Sequence, residues 1–265
     1  MSSLSKYSSL YIEFLKQNLK IMLEYKNDFV IGVFSTLLTQ VCGIFFVWVL
    51  FENVKQINGW SFYEITFVYG LLTLAKGLDM IFFDNLHALG WEYIREGKFD
   101  IFMTRPISPL FQLIASHIQQ DGFGLFLIGL VITIKSALAL KLAFGILDMF
   151  LLILFVISGG VILASINLIT ATAGFWTVNS HIVMESVATL QEFALYPILI
   201  YPKFIGFILT WIIPYAFASF YPASYFLHKG LLSYSLLSPL IAVILWFIAN
   251  KVWNFGIKNY TSTGS

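Results

Sequence analysis

Ionisable residues within apolar stretches are the first feature of this sequence that could do chemistry. Lys76 and Asp79 lie three residues apart, a spacing that places both on one side of a helix, and Asp84 continues toward the end of the same run. Glu185 and Glu192 are seven residues apart, again on one helical face. Buried charges are costly unless they pair or face a cavity. They predict either a polar pathway or a structural Lys76–Asp79 ion pair with acids that reach the interface.

The residue pattern does not indicate an enzyme that makes or breaks covalent bonds. The four histidines are His87, His117, His181 and His228. They fall in different segments without metal-ligand spacing, and no hydrolase pattern occurs. The only Gly-Lys pair, Gly97-Lys98, lacks the rest of a phosphate-binding loop. The single cysteine, Cys42, excludes an internal disulfide. We expect a chain that is not an enzyme and holds no metal or cofactor.

The composition identifies the elements that must position these residues. Of 265 residues, 59% are hydrophobic and 11% are charged, and the mean hydropathy is +0.85. Soluble domains are about a quarter charged. Phe (27), Tyr (13) and Trp (7) suit contact with lipid and its interfaces. The composition therefore excludes a disordered chain, a nucleic-acid binder and an ordinary soluble enzyme. It predicts an all-α integral membrane protein.

Apolar runs predict six membrane spans, since a bilayer core needs about 20 apolar residues per helix. Five of them are Phe29–Phe51, Ile65–Phe83, Leu110–Ile134, Ile146–Ile169 and Leu236–Val252. Gly159-Gly160 in the fourth allows close approach of a neighbouring helix. The remaining span lies between the fourth run and the last one.

Proline positions shape the segment before the last span. Five of the seven prolines fall between Pro197 and Pro239, and Pro214 interrupts an apolar run. One interpretation makes Asn179–Ile200 span five and Lys203–Tyr221 a re-entrant hairpin folded at Pro214. The other makes Lys203–Tyr221 a kinked span five. The prolines at both ends favour the hairpin.

Basic residues predict the orientation of the spans. With the N-terminus inside, the inner side holds Lys6, Lys16, Lys20, Lys26, Arg95, Lys98, Arg105, Lys251 and Lys258. The outer side then holds Lys55, Lys135, Lys141, Lys203 and Lys229. This excess of nine over five favours an N-in, C-in topology.

Residues 1–28 form a separate amphipathic element before the first span. Its apolar face comprises Tyr11, Phe14, Leu15, Leu19 and Met22, and its other face carries charged residues at helical spacing. We expect an interface helix on the inner side of the membrane. It serves either as an anchor only or also as a contact for a cytoplasmic partner.

The longest inner loop, residues 85–109, predicts a short helix between spans two and three. Gly97 can end the helix that descends from span two. Phe99 to Met103 then form a short helix that exposes Phe99, Phe102 and Met103. The alternative is an interfacial elbow anchored by aromatic residues.

The end of this loop carries helix stop and start signals. Arg105-Pro106 stops the short helix. Ser108-Pro109 is a suitable N-cap and first-turn pair for span three.

Two groups of motifs resemble a known family. The first is Gly97-Lys98-Phe99-Asp100 followed by Arg105-Pro106-Ile107-Ser108-Pro109. It resembles the G-x-[FL]-D … R-P-x-S-P segment of bacterial ABC-2 type transporter permeases. The second is Tyr196-Pro197, Tyr201-Pro202, Ile213-Pro214 and Phe220-Tyr221-Pro222-Ala223. The resemblance in organisation runs from the N-terminal helix to the sixth span.

The resemblance implies a single permease domain over residues 1–265 in the bacterial plasma membrane. Two permease subunits, identical or related, pair around a pathway, and two copies of a separate ATPase hold ATP and Mg. The implied ATPase-coupling residues are Arg95, Glu96, Gly97, Phe99, Asp100, Phe102, Arg105 and Pro106. Region 201–235 becomes an extracellular re-entrant gate with Pro197, Pro202, Pro214 and Pro222.

The resulting interpretation is the membrane subunit of an ATP-driven exporter, in contact with membrane lipid. Its pathway residues are Lys76, Asp79, Asp84, Glu185 and Glu192. One rival is a secondary transporter or channel that uses Lys76, Asp79 and the two glutamates. That class often shows broken helices in both halves, whereas here the breaks lie only in the second. Another rival, an intramembrane enzyme, needs polar groups converging at one depth. The sequence does not identify a cargo.

Overall fold

The computed structural model describes residues 3–177, 180–230 and 232–261. Over these ranges the chain is helical throughout, apart from turns and one isolated bridge between Ile57 and Trp60. The α-helices are α1 (Ser3–Glu24), α2 (Lys26–Asn53), α3 (Phe62–Phe83), α4 (Phe99–Thr104), α5 (Pro109–Ser116), α6 (Asp121–Ala139), α7 (Ile146–Thr172), α8 (Ser180–Gln191), α9 (Lys203–Phe207), α10 (Phe220–Phe226) and α11 (Leu232–Lys258). This confirms the predicted all-α class.

Five helices are long and apolar enough to cross a membrane. They are α2, α3 with its continuation to Ile94, α6, α7 with its last turn to Phe175, and α11. A sixth crossing exists if the bent pair Lys203–Ile212 and Tyr215–Phe226 counts as one span. The two halves of this pair meet at 76° on either side of Pro214, which confirms the predicted interruption there. The pair has the form of a broken span or a re-entrant loop.

The region predicted as span five is interrupted by a proline. Helix α8 ends at Gln191 after 12 residues. It spans about 18 Å of a hydrocarbon core that is about 30 Å thick. Tyr196, which precedes Pro197, is extended at φ −120° and ψ 156°, because proline disfavours a helical residue before it. Helical structure within Asn179–Ile200 is therefore divided at Tyr196-Pro197, after the turn Glu192–Leu195 that follows α8, and the described residues of this region hold no single helix long enough to be a candidate span. Asn179 itself lies outside the described residues.

The predicted third span, Leu110–Ile134, is divided into α5 and α6. His117 between them is extended at φ −137° and ψ 137°. The backbone N–H of Ile118 donates to Oδ1 of Asn18 at 3.2 Å, so a side chain of α1 satisfies the broken backbone. The apolar crossing therefore begins only at Asp121, after the polar stretch that opens the run.

Helix α3 lies at the centre of the bundle because glycines let its neighbours approach its backbone. A Cβ added to Gly77 of α3 would lie 2.7 Å from the Cα of Phe126 in α6. On α7, a Cβ added to Gly159 would lie 2.9 Å from the Cβ of Ala75 in α3. The close approach predicted at Gly159-Gly160 is thus confirmed, and α3 packs against both α6 and α7.

Candidate functional site

The segment between α3 and α5 forms the predicted short helix. Gly97 has φ +72°, a left-handed conformation that glycine adopts without strain, and its N–H donates to the Ile94 carbonyl at 3.1 Å. Helix α4 then runs from Phe99 to Thr104. Gly97 therefore ends the descending helix and starts a separate element, as predicted.

Aromatic rings pack one side of α4 against the ends of α7 and α11. Phe99 is fully buried, with its ring centroid 5.3 Å from that of Phe175, 6.1 Å from Trp253 and 5.0 Å from Tyr260. Phe102 is only 7% exposed. The prediction that Phe99 and Phe102 are exposed is therefore wrong, because this face packs against elements far away in sequence.

The opposite side of α4 faces away from the bundle. Within residues 95–106 the exposed residues are Arg95, Glu96, Lys98, Ile101, Met103, Thr104, Arg105 and Pro106. Met103 is 50% and Ile101 52% exposed, so the predicted exposure of Met103 is confirmed. Lys98 Nζ lies 3.0 Å from both Glu96 Oε2 and Glu92 Oε1, and these carboxylates raise the pKa of the lysine. The exposed side of α4 thus presents the apolar side chains of Ile101 and Met103 among charged ones.

Gln112 of α5 holds the end of α4 in place. Its side chain is fully buried, and Nε2 donates to the carbonyls of Phe102 at 3.0 Å and Ile107 at 3.1 Å. Arg105 Nη1 donates to Gln112 Oε1 at 3.5 Å. Sequence reasoning missed Gln112. The one feature of the sequence that could have identified Gln112 is its polar side chain among the apolar residues of Pro109–Ser116.

Two further hydrogen bonds tie this segment to the chain's terminal helices. Tyr260, just after α11, donates its hydroxyl to Asp100 Oδ1 at 2.8 Å. The backbone N–H of Ser108 donates to the hydroxyl of Tyr7 in α1 at 3.2 Å. Ser108 Oγ accepts from the N–H of Phe111 at 3.5 Å, which confirms the predicted cap, although the capped helix is α5. The segment is therefore connected to both ends of the described chain.

Helix α1 packs against α5 through its apolar face. The ring of Phe111 lies 4.9 Å from Tyr7, 6.3 Å from Tyr11 and 6.4 Å from Phe14, measured between centroids. The predicted amphipathic helix is present and contacts a neighbouring helix of its own chain. Since α1 leads into α2 at Tyr25, it joins the first span to the element that follows α4.

The predicted charged residues of α3 find partners other than each other. Lys76 Nζ contacts Glu192 Oε1 at 2.5 Å. Asp79 Oδ2 instead accepts from Asn167 Nδ2 of α7 at 2.7 Å. The predicted Lys76–Asp79 ion pair is therefore wrong as a direct contact. Asp79 Oδ1 is buried without a hydrogen-bond partner in the described part of the chain.

Of the other predicted pathway residues, Glu192 contacts Lys76, whereas Glu185 and Asp84 form no hydrogen bond or ion pair with Lys76 or Asp79 in the described part of the chain. Glu185 is exposed, and its Oε1 lies 3.9 Å from Nδ1 of His181 one turn earlier in α8. Glu192 belongs to the separate helical turn Glu192–Leu195, so the two glutamates do not share one continuous α-helix. Asp84 begins the turn that follows α3. The structure thus brings together Lys76 and Glu192, and Asp79 with Asn167, which sequence reasoning missed.

The prolines divide the region after α8 into short helical pieces. Pro197 precedes the turn Ile198–Ile200, and Pro202 precedes α9. Pro214 lies at the 76° bend, and Pro222 lies in the first turn of α10. Each proline predicted as part of the gate therefore marks the beginning or a break of a short element.

Apolar crossings with charges within them, and a short exposed helix after the second span, define a multi-pass membrane protein. A family model described as ABC-2 family transporter protein matches residues 37–264. The chain belongs to this family, which confirms the resemblance found in its motifs. No curated protein matches it in sequence. The family is a membrane component of ABC transporters rather than the ATPase, and it implies association with an ABC ATPase and often dimerisation.

Proposed function

We propose that this chain is the translocation subunit of an ATP-driven exporter in the bacterial plasma membrane, with both termini inside. Two permease subunits, identical or related, pair around the pathway. Two copies of a separate ATPase hold ATP and Mg²⁺ and bias the permease between inward and outward arrangements. Family membership supports this proposal over the secondary transporter, the channel and the intramembrane enzyme.

The observation that carries the proposal is the two-sided character of α4. A docking element must be fixed to its own subunit and exposed to its partner. The side of α4 that bears Phe99 is buried among the ends of α7 and α11, whereas Ile101 and Met103 are half exposed. Apolar side chains at the centre of a charged rim are typical of a protein–protein contact. We therefore assign ATPase contact to the exposed residues of 95–106, with Phe99 and Phe102 as positioning residues.

Hydrogen bonds provide a route from α4 into the membrane helices. Gln112 connects α4 to α5, Tyr260 connects it to α11, and Tyr7 connects the following turn to α1. A displacement of α4 is therefore transmitted to α5, α11 and α1. Because α1 leads into α2, it also reaches the first span. A contiguous packed network of this kind is a physical means of coupling.

The pathway and the gate complete the proposal. Lys76 and Glu192 join α3 to the turn after α8, and Asp79 joins α3 to α7. We assign these three residues to the pathway, whereas Asp84 and Glu185 contribute at its borders. The proline-divided region 201–235 supplies the outer gate, since short helical pieces rearrange more easily than one continuous helix.

Charge placed on the exposed face of α4 tests the ATPase contact. Ile101→Glu and Met103→Glu should each lower recovery of the co-purified ATPase at least about tenfold, because a desolvated carboxylate in a contact costs more than 1.4 kcal/mol. Both side chains point away from the bundle, so thermal stability should stay unchanged. Val54→Glu is the matched control, since Val54 is 46% exposed at the other end of the spans. Full assembly and transport in both α4 variants would reduce the segment to an interfacial elbow.

A further inference from the structure

A cavity lies between α9, α10 and the beginning of α11. Its volume is about 680 Å³, within the range of pockets that hold drug-sized ligands. Its aromatic lining residues are Tyr201, Phe207, Trp211, Phe220, Tyr221 and Tyr234. Tyr221 and Tyr234 stack with centroids 5.3 Å apart. Aromatic walls of this kind favour an apolar chain beside a polar group.

The charge of the cavity is positive and only partly balanced. Two lysines and no acidic residue line it. Lys229 Nζ is engaged by Glu64 Oε2 at 2.7 Å and by the Gly59 carbonyl at 2.6 Å. Lys203 is exposed and has no hydrogen bond or ion pair in the described ranges. One ammonium group at the cavity is thus left for a ligand.

Hydroxyl groups add hydrogen-bonding capacity inside the cavity. Thr210 Oγ1 and the Tyr221 hydroxyl lie 3.4 Å apart on its wall. Apart from these groups, Ser224 and the two lysines, the lining consists of glycine, aliphatic and aromatic residues. The cavity therefore combines a cationic rim, a few hydroxyls and a long apolar wall.

The position of the cavity relative to α4 follows from the same contacts. Lys229 reaches Gly59 and Glu64, which stand at the beginning of α3, whereas α4 follows the end of α3. The cavity and α4 thus lie at opposite ends of one span. Because the proposed orientation places α4 on the cytoplasmic side, the cavity opens at the outer surface of the membrane.

We propose that this cavity binds an amphiphile with one anionic headgroup, a phosphate or a carboxylate. The headgroup pairs with Lys203, and the acyl chain lies along the aromatic wall. A compact ammonium group suits such headgroups. The inference goes beyond the proposed function, because a resident anionic lipid and a cargo of the same chemistry are both sources of this ligand.

The test uses the full-length protein in a neutral detergent with added dioleoyl phosphatidylglycerol or dioleoyl phosphatidylcholine. Native mass spectrometry counts the lipids retained. The wild type should prefer phosphatidylglycerol about threefold to fivefold, the size expected for one accessible ion pair. Lys203→Gln should abolish the preference. Lys55→Gln removes a matched exposed charge away from the cavity and should retain it.

A second variant adds apolar volume at the wall of the cavity. A Cβ added to Gly206 meets no atom closer than the Ile198 carbonyl at 3.8 Å, so Gly206→Leu fits the backbone. It should lower retention of both lipids, whereas Lys203→Gln removes only the charge preference. Equal retention of the two lipids by the wild type would overturn the proposal, as would equal losses in Lys203→Gln and Lys55→Gln. Unchanged lipid binding in Gly206→Leu with impaired permease pairing would assign this face to a second permease instead.

Extraction without added lipid separates the two sources of the ligand. An anionic phospholipid that co-purifies with the wild type and is missing from Lys203→Gln identifies a resident lipid. Binding of added phosphatidylglycerol without a co-purified lipid identifies a site that fills transiently, as a cargo site does. Because neither measurement requires the ATPase, failure of the proposed coupling contact leaves this test intact.

Discussion

The first two spans are similar in length and apolar character, yet they occupy opposite environments. Only 6% of the apolar window of α2 is buried inside the protein, against 72% for the span that begins with α3. Phe34, Phe45 and Phe46 of α2 are more than half exposed, whereas Phe67 and Leu72 of α3 are fully buried. Hydropathy thus identifies both as spans but does not tell which one is central.

Small and polar residues account for the difference. Helix α3 meets the backbones of its neighbours at Gly77, and it carries Lys76 and Asp79, each of which has a partner on another element. The polar contact from α2 to α3 is Gln40 with Tyr69. Within a membrane, van der Waals packing at small residues and hydrogen bonds replace the hydrophobic drive for association. Helix α3 is therefore central because of its small residues and its polar contacts.

The largest effect is expected at Gly77. Gly77→Ala places a Cβ 2.7 Å from the backbone N and Cα of Phe126, so α3 and α6 must separate. We expect the free energy of unfolding to fall by about 2 kcal/mol or more, measured by thermal unfolding in detergent. Gly43→Ala in α2 is the matched comparison, since its Cβ would meet the side-chain hydroxyl of Tyr69 at 2.6 Å rather than a backbone, and it should cost no more than the Tyr69–Gln40 hydrogen bond, about 1 kcal/mol. Equal stability losses in the two variants would contradict the central role of glycine packing in α3.

A second test separates the partners of Lys76 and Asp79. Lys76→Met leaves the Glu192 carboxylate unpaired and should cost about 1–2 kcal/mol. Adding Glu192→Gln should restore stability, whereas adding Asp79→Asn should not, because Asp79 is bonded to Asn167. Thermal unfolding of the two double variants distinguishes the pairings.

Transport by the stabilised double variant then tests the pathway. If Lys76 and Glu192 line it, the Lys76→Met/Glu192→Gln protein should assemble normally and transport poorly. Full transport by this stable protein would leave the pair a structural role only. The ATPase activity of the assembled complex serves as the control for intact coupling.

Local features of this fold could be predicted because they act within a few residues. The left-handed Gly97, the Ser108 cap and the bend at Pro214 follow from the conformational limits of glycine, serine and proline. The motifs around them also led to the correct family. These features determine where helices begin and end. They therefore allowed α4 and the bend at Pro214 to be located from the sequence.

The partners of site residues could not be predicted because they depend on how distant helices pack. Lys76 and Glu192 are 116 residues apart, and Asp100 and Tyr260 are 160 apart. A six-residue helix such as α4 has no long periodic pattern, so its sequence did not reveal that Phe99 would face α7 and α11. Proximity in sequence suggested that Asp79 pairs with Lys76. In the structure, the packing of α7 against α3 instead makes Asn167 the hydrogen-bond partner of Asp79.

The smallest expected effect concerns the polar contact between α2 and α3. The hydroxyl of Tyr69 donates to Gln40 Oε1 at 2.6 Å, and Tyr69 is buried. Tyr69→Phe should cost about 1 kcal/mol, because it removes one hydrogen bond and leaves the amide oxygen without this donor. The double variant Tyr69→Phe/Gln40→Leu should regain most of that loss, since replacing both partners by apolar groups is nearly neutral. Tyr63→Phe, an exposed position on the same helix, should leave the unfolding temperature unchanged. If Tyr69→Phe instead destabilised the protein as much as Gly77→Ala, a polar contact would hold α2 as firmly as glycine packing holds α3, and the contrast between the two spans would fail.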